Sequence, residues 1–222
     1  MIQIDAVKLH PFSPSNNQWK PPSPMTPHDQ PLSIGPKPLT GSALTAFFSR
    51  DAVIVASELI GTRLTVAGVG GRIVETEAYR PDDEASHSFR GPTARTAAMF
   101  GPAGRVYIYR SYGIHWCLNF VCAGASAVLL RALEPESGIE DMVRRRGIAD
   151  VVDLCNGPGK LTQALDVDIS LNGLALDAAP FEFALAERIP VVTGKRIGIT
   201  KNVEPLWRFG AAGSRFVSRR FP

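Results

Sequence analysis

Strand-like runs cluster in this chain instead of alternating with helices, and that pattern most narrows what it can fold into. Residues 64–67 and 72–79 read as two strands joined by a turn that Gly68, Gly70 and Gly71 supply. Residues 106–110 and 114–122 read as a second hairpin with the tight, glycine-assisted connection Ser111-Tyr112-Gly113. A further strand is expected over 127–133, and short ones over 181–185, 196–199 and 215–218. Asp51 can cap a helix that runs to Ile60 and stops at Gly61, and two more helices are expected over 136–146 and 157–165. Without a regular strand–helix–strand alternation, the expectation is an α+β fold. It is a single mixed domain around a curved, largely antiparallel sheet with a protruding β-hairpin.

Hydrophobic residues fill 45% of the 222 positions, enough to build a core, and 20% charge is too little for a chain disordered throughout. Residues 1–38 are the exception. They hold nine of the 18 prolines and few apolar side chains, so they are expected to form a flexible extension, with the folded domain spanning 39–222. His10, Trp19 and His28 lie in that extension and are assigned no chemistry. No stretch is apolar and long enough to span a bilayer, and the start lacks the apolar run of a signal peptide; an intracellular protein is expected. Cys117, Cys122 and Cys155 are odd in number and lack CxxC spacing, which argues against a disulfide framework and a structural zinc site.

The net charge of +3 says little, but its distribution says more. From Ala85 to Leu133 there is no Asp or Glu in 49 residues, while Arg90, Arg95, Arg105, Arg110 and Arg131 fall in that window. From Arg188 onward there are eight basic residues and one acid, Glu204. Two such blocks on a near-neutral chain suggest one positive face, with ordinary solvated surface as the plain alternative. All four tyrosines, Tyr79, Tyr107, Tyr109 and Tyr112, lie in or beside the acid-free window. Rings interleaved with arginines offer stacking faces and phosphate contacts to unstacked bases, although tyrosines also pack well in ordinary strands.

In the strand over 72–79, period-two alternation puts Ile73, Glu75, Glu77 and Tyr79 on one face and Arg72, Val74, Thr76 and Ala78 on the other. If the first face is solvated, the carboxylates are surface acids. If it lines a cleft, a partly buried Glu is a suitable general base, because burial raises its pKa. On the second hairpin, Tyr107 and Tyr109 share a face, as do His115, Cys117 and Asn119, whereas Ile114, Trp116 and Leu118 read as core. Tyr112 sits at the tip, where it can act as a wedge between bases or fold back on its strands. The run Cys155-Asn156-Gly157-Pro158-Gly159-Lys160-Leu161 resembles a phosphate loop but fails as one, with Leu161 where Ser or Thr is needed and Leu154 where Gly is needed. A helix start touching a backbone phosphate stays open there. No metal-ligand set or nucleotide motif is present, so no cofactor is expected.

The stretch Arg72-Ile73-Val74-Glu75-Thr76-Glu77-Ala78-Tyr79 resembles the signature strand of the alkyladenine (3-methyladenine) DNA glycosylase family. The resemblance continues in family order through residues 83–88, Met99-Phe100, 102–109, 112–119, 128–135 and 156–165, and spans about 43–217. It implies roles residue by residue. Glu77 matches the general base that activates water, and Arg131 the arginine that supports this water and the DNA backbone. Tyr79, His87 and Tyr109 match the groups around an extruded base. Tyr112 matches the residue that fills the gap left in the duplex, and Asn119 the group that disfavours guanine by clashing with its 2-amino group. Arg95 and Lys160 match positions near DNA phosphates. A glycosylase must take its target out of the stack, and electron-rich rings favour a cationic base. Lys160 is the only lysine between Lys37 and Lys195, so single-step hydrolysis without a Schiff base is expected.

The resemblance implies a cofactor-free, monomeric repair enzyme. It would release alkylated, and in some members deaminated, purines from double-stranded DNA, leaving an abasic site. It would work in the cytoplasm at the nucleoid if bacterial and in the nucleus if eukaryotic. The rival readings are a damage-sensing DNA-binding module without catalysis, an RNA-binding protein using the same surface, and a generic structural domain.

Overall fold

The computed structural model describes residues 37–222. The expected flexible extension, with His10, Trp19 and His28, lies outside the described residues up to position 36. Its last two positions, Lys37–Pro38 (β1), already pair with Leu185 and Ala184. Two helices follow, Gly41–Phe48 (α1) and Ala52–Glu58 (α2). The second is capped as expected, the Asp51 carboxylate accepting from Val53 N at 2.8 Å. The strands are then Arg63–Val66 (β2), Val69–Tyr79 (β3), Val106–Ser111 (β4), His115–Cys122 (β5) and Ser126–Ser137 (β6). Helices Ile139–Arg146 (α3), Val151–Leu154 (α4) and Pro158–Leu165 (α5) precede Phe181–Leu185 (β7), Val191–Gly194 (β8) and Arg208–Ala211 (β9).

In the described residues these nine strands form one antiparallel sheet in the order β1-β7-β2-β3-β6-β5-β4, with β9 also on β3 and β8 on β9. The α+β expectation therefore holds. The central strand is β3: β6 runs along one edge, and the other edge is shared by β2 over Val69–Arg72 and β9 over Glu75–Glu77. Gly70 and Gly71 lie inside β3 and not in the turn before it. A Cβ on either would collide with the Leu64 or Glu134 carbonyl, so glycine is needed for close approach between strands. The apolar core lies under the helices, around Phe48, Phe120 and Phe183, whose ring centroids are 5.6–5.9 Å apart.

Three expectations from the strand pattern are corrected. Residues 196–199 and 215–218 are not strands; the strands of that region are β8 and β9. Ile73 does not share a face with Glu75, because it lies in the apolar core with Val74. The pairing of β3 with β6 is irregular on both sides of Glu75, and such a bulge breaks simple alternation. Ile114 is 68% exposed and is not core, while Leu118 is fully buried and Trp116 packs partly against the core.

Candidate active site

A cavity of about 460 Å³ opens on the sheet, lined by Tyr79 from β3, Tyr107 and Tyr109 from β4, Cys117 and Asn119 from β5 and Arg131 from β6, with His87 and Ile197 contributed by loops. Alternation on the hairpin puts Tyr107, Tyr109, Cys117 and Asn119 here, as expected from their period-two spacing. Tyr107 and Tyr109 stack at 5.6 Å with an interplanar angle of 28°, and His87 stands edge-on to Tyr109 at 4.4 Å. His87 Nδ1 is 2.9 Å from the Tyr107 hydroxyl. These three rings form one wall of the cavity. The Asn119 amide nitrogen donates to the carbonyls of Tyr107 (3.0 Å) and Cys117 (3.4 Å), which fixes its orientation at the cavity edge.

Glu77 lies directly beneath the cavity floor and is fully buried, where the sequence allowed a partly buried carboxylate. Its Oε1 accepts from Ile197 N at 2.7 Å and is ion-paired with Arg131 Nη1 at 3.2 Å; its Oε2 accepts from the Tyr79 hydroxyl at 2.9 Å. Tyr79, Arg131 and Ile197 all line the cavity, so every group bonded to Glu77 faces it. Burial raises the Glu77 pKa above the ordinary carboxylate value. The Arg131 charge, the Ile197 N–H and the Tyr79 hydroxyl oppose that rise, and the neighbouring Glu75 adds to it. Burial, and then the Glu77 charge, push Tyr79 well above its usual pKa, so it stays a donor. Burial lifts Tyr107 to about 12. His87 is held below its usual value by burial and by Arg95, and is neutral at pH 7.

The second carboxylate of β3 has a different setting. Glu75 Oε1 accepts from Arg131 Nε at 2.9 Å and Arg208 Nε at 2.7 Å. Two carboxylates and two guanidinium groups thus balance in a buried network. A second buried pair, Asp83 with Arg196, joins the loop before His87 to the loop that carries Ile197. Arg196 also donates to the Ala78 and Asn202 carbonyls and lies 4.7 Å from the Tyr79 ring centroid. Sequence reasoning missed Ile197, Asp83 and Arg196, since a backbone N–H and a distant ion pair leave no local pattern.

Of the other singled-out residues, Tyr112 and Arg95 line the mouth, and Lys160 is not among the residues around it. Tyr112 is 85% exposed at the hairpin tip. Arg95 is exposed on the cavity rim. Lys160, in the first turn of α5, is tied to Asn156 Oδ1 at 2.7 Å and to Asp153 at 3.4 Å. Among the described residues no group of His, Cys, Asp or Glu is arranged to hold a metal ion, and no helix is long and apolar enough to cross a membrane.

The family model described as methylpurine-DNA glycosylase matches residues 46–215, well over half the chain and all of the cavity-lining residues. This chain belongs to that family. A methylpurine-DNA glycosylase is a hydrolase of N-glycosyl bonds that acts on DNA, so the expected enzyme class holds. Bacterial relatives agree. A protein of Rhizobium johnstonii provisionally named a 3-methyladenine DNA glycosylase is 61% identical over 189 residues, 85% of this chain and 96% of its own. Provisionally named 3-methyladenine glycosylases of Rhizobium etli (60% identical; 85% of this chain, 95% of its own) and Nitrosospira multiformis (55%; 78% and 92%) also match. In this glycosylase the cavity combines aromatic walls with a buried carboxylate beneath them.

Proposed function

We propose that this glycosylase extrudes an alkylated purine from duplex DNA into the aromatic cavity and hydrolyses its N-glycosidic bond, with Glu77 as general base. The observation that carries the reading is Glu77 buried under a cavity walled by Tyr79, His87, Tyr107 and Tyr109. A volume of about 460 Å³ lies within the small-molecule range of roughly 300–1,000 Å³. The tyrosine faces attract a cationic base by about 0.5–2 kcal/mol per good contact, and a neutral His87 does not repel it. Asn119, fixed by its two carbonyl partners, occupies space that the 2-amino group of guanine needs.

The chemistry follows from the acceptor capacity of Glu77. Its Oε1 accepts from Ile197 N and also carries the Arg131 ion pair, whereas Oε2 takes one donor, from Tyr79, and a carboxylate oxygen accepts two. A water supplied through the floor is held on that second position. Its oxygen bonds to C1′ of the sugar, the N-glycosidic electron pair leaves with the base, and the proton goes to Glu77. A base that is already cationic departs neutral, so no acid need protonate it. Among the described residues no lysine lines the cavity, which fits direct hydrolysis to an abasic site. Tyr112, on the tip beside the mouth, fills the gap in the duplex, Arg95 meets its phosphates, and Lys160 reaches one only by leaving Asn156 and Asp153. Arg131 acts on Glu77. The enzyme works as a monomer, and deaminated purines such as hypoxanthine, being neutral, are poorer substrates than methylated ones.

The test is base release from a duplex carrying one 3-methyladenine or one hypoxanthine, with EDTA present, by the wild type and Glu77→Gln. Release by the wild type and its loss in the variant, with binding retained, is expected. Undiminished release by Glu77→Gln would remove Glu77 from its role.

A further inference from the structure

The segment after β9 returns to the site and bonds to it. Ser218 Oγ donates to Glu75 Oε1 at 2.9 Å and accepts from Arg131 Nη2 at 3.1 Å, and Ser218 N donates to Glu75 Oε2. The three nitrogens of Arg131 are therefore each committed: Nε to Glu75, Nη2 to Ser218 and Nη1 to Glu77. Two of these fix the plane of the guanidinium, and the third is then aimed at the carboxylate beneath the cavity. The tail is locked just beyond. Arg208 donates to the Arg219 carbonyl, and the Phe221 ring lies 3.9 Å from the Arg208 guanidinium. The same ring fills the space that a Cβ at Gly194 or Gly210 would occupy.

We propose that Ser218 is a positioning residue for the reaction: it holds Arg131 against Glu77, so the C-terminal segment completes the active site. This rests on the reading of Glu77 as the base. Without the hydroxyl, Arg131 Nη2 has no partner, Glu75 loses a donor, and the guanidinium is free to turn away from Glu77. Arg131 is the strongest influence lowering the Glu77 pKa, so its departure raises that value. The other groups around Glu77 are Glu75 and Tyr79 on β3, Arg208 opposite it on β9, and Tyr109 and Cys117 on the hairpin. None of these loses its place directly when Ser218 is truncated except Glu75, whose less neutralised charge acts in the same direction.

The experiment compares single-turnover base release against pH for the full chain, Ser218→Ala, Ser218→Thr and Glu77→Gln, all below the lowest melting temperature of the set. Ser218→Ala is expected to lower the rate at pH 7 about tenfold. It should also move the acid limb up by about one pH unit, with affinity for lesion DNA unchanged. Ser218→Thr, which keeps the hydroxyl, should recover most of the rate. An unshifted acid limb in Ser218→Ala, or a Thr variant as impaired as the Ala one, would overturn the proposal while leaving Glu77 in place. An active Glu77→Gln would instead remove the reading on which it rests.

Discussion

The Tyr79 hydroxyl donates to Oε2 of Glu77 at 2.9 Å, which makes the cavity wall and the carboxylate beneath it one hydrogen-bonded unit. Tyr79→Phe keeps the ring and removes the donor. Glu77 then loses one of the groups that lower its pKa, so the acid limb of base release moves to higher pH. The loss on the plateau should fall between about tenfold and about a hundredfold, the scale of one hydrogen bond to a charged group at about 1.5–3 kcal/mol. A rate profile against pH checks this, and a uniform loss at every pH would mean that the hydroxyl acts elsewhere.

A base must be deprotonated to accept a proton from water. Burial is the largest influence on Glu77, and the net result is a pKa above the ordinary carboxylate value. Base release by the wild type should therefore fall as pH is lowered while still above ~4.3, where an ordinary glutamate titrates. His87, held low by burial and Arg95, is neutral at pH 7 and is protonated only when acid reaches its own depressed value. Its protonation adds a second loss for cationic lesions, but not for hypoxanthine. Profiles for the two lesions should diverge on the acid side, and superimposable profiles would exclude His87 from base recognition.

Much of the site was legible because its residues are close in sequence and strands have a period of two. Glu77 and Tyr79 share a face of one strand, and Tyr107, Tyr109, Cys117 and Asn119 share a face of one hairpin. The remainder joins positions far apart. Ile197 meets Glu77 across 120 residues, Arg196 meets Asp83 across 113, and Ser218 meets Glu75 across 143. No local pattern encodes such contacts, and the Ile197 one uses a backbone N–H that any residue carries. Alternation also misplaced Ile114. The last pair of the hairpin is Ser111 with His115, so Ile114 belongs to the turn, where the pleat no longer sets direction.

Asp83 and Arg196 have fully buried side chains, and together they staple the His87 loop to the Ile197 loop. Removing one partner of such a pair costs about 3–5 kcal/mol, so Asp83→Ala should lower the melting temperature well beyond a surface change. Burial opposes the charge of Asp83, but the Arg196 and Asn202 hydrogen bonds and the Ala85 N–H outweigh it and hold its pKa low. A depressed carboxylate stabilises the fold above its unfolded pKa of ~3.9, and that stability is lost as pH falls through the folded value. The acid-side stability loss should therefore be smaller in Asp83→Ala than in the wild type. Urea titrations at a series of pH values measure it, and parallel pH curves would show that the pair contributes nothing to acid stability.

Tyr112 stands on a turn with φ of 50°, followed by Gly113 at 69°, and is 85% exposed. It is outside both hydrophobic clusters of the described residues. Tyr112→Ala should change folding stability by no more than about 0.5 kcal/mol. Binding to a duplex lesion should weaken by at least tenfold, while a single-stranded lesion, which leaves no gap to fill, should be bound nearly as well as before. Equal losses on duplex and single strand would give Tyr112 a role other than filling the gap.

Arg95 and Lys160 separate into different classes by their partners. Arg95 is exposed on the cavity rim and has no ion-pair partner among the described residues. Lys160 is engaged by Asn156 and Asp153, and it must leave them to reach a phosphate. Each phosphate neutralised contributes about −0.9 to the slope of log K against log salt. Arg95→Ala should therefore flatten that slope by about one unit and weaken binding to lesion and undamaged duplexes alike. Lys160→Ala should change the slope by much less, because displacing the lysine from Asp153 offsets most of what a phosphate offers. Affinities at four salt concentrations decide between them. A larger change of slope for Lys160 than for Arg95 would place the DNA backbone over the start of α5 instead of over the Arg95 rim.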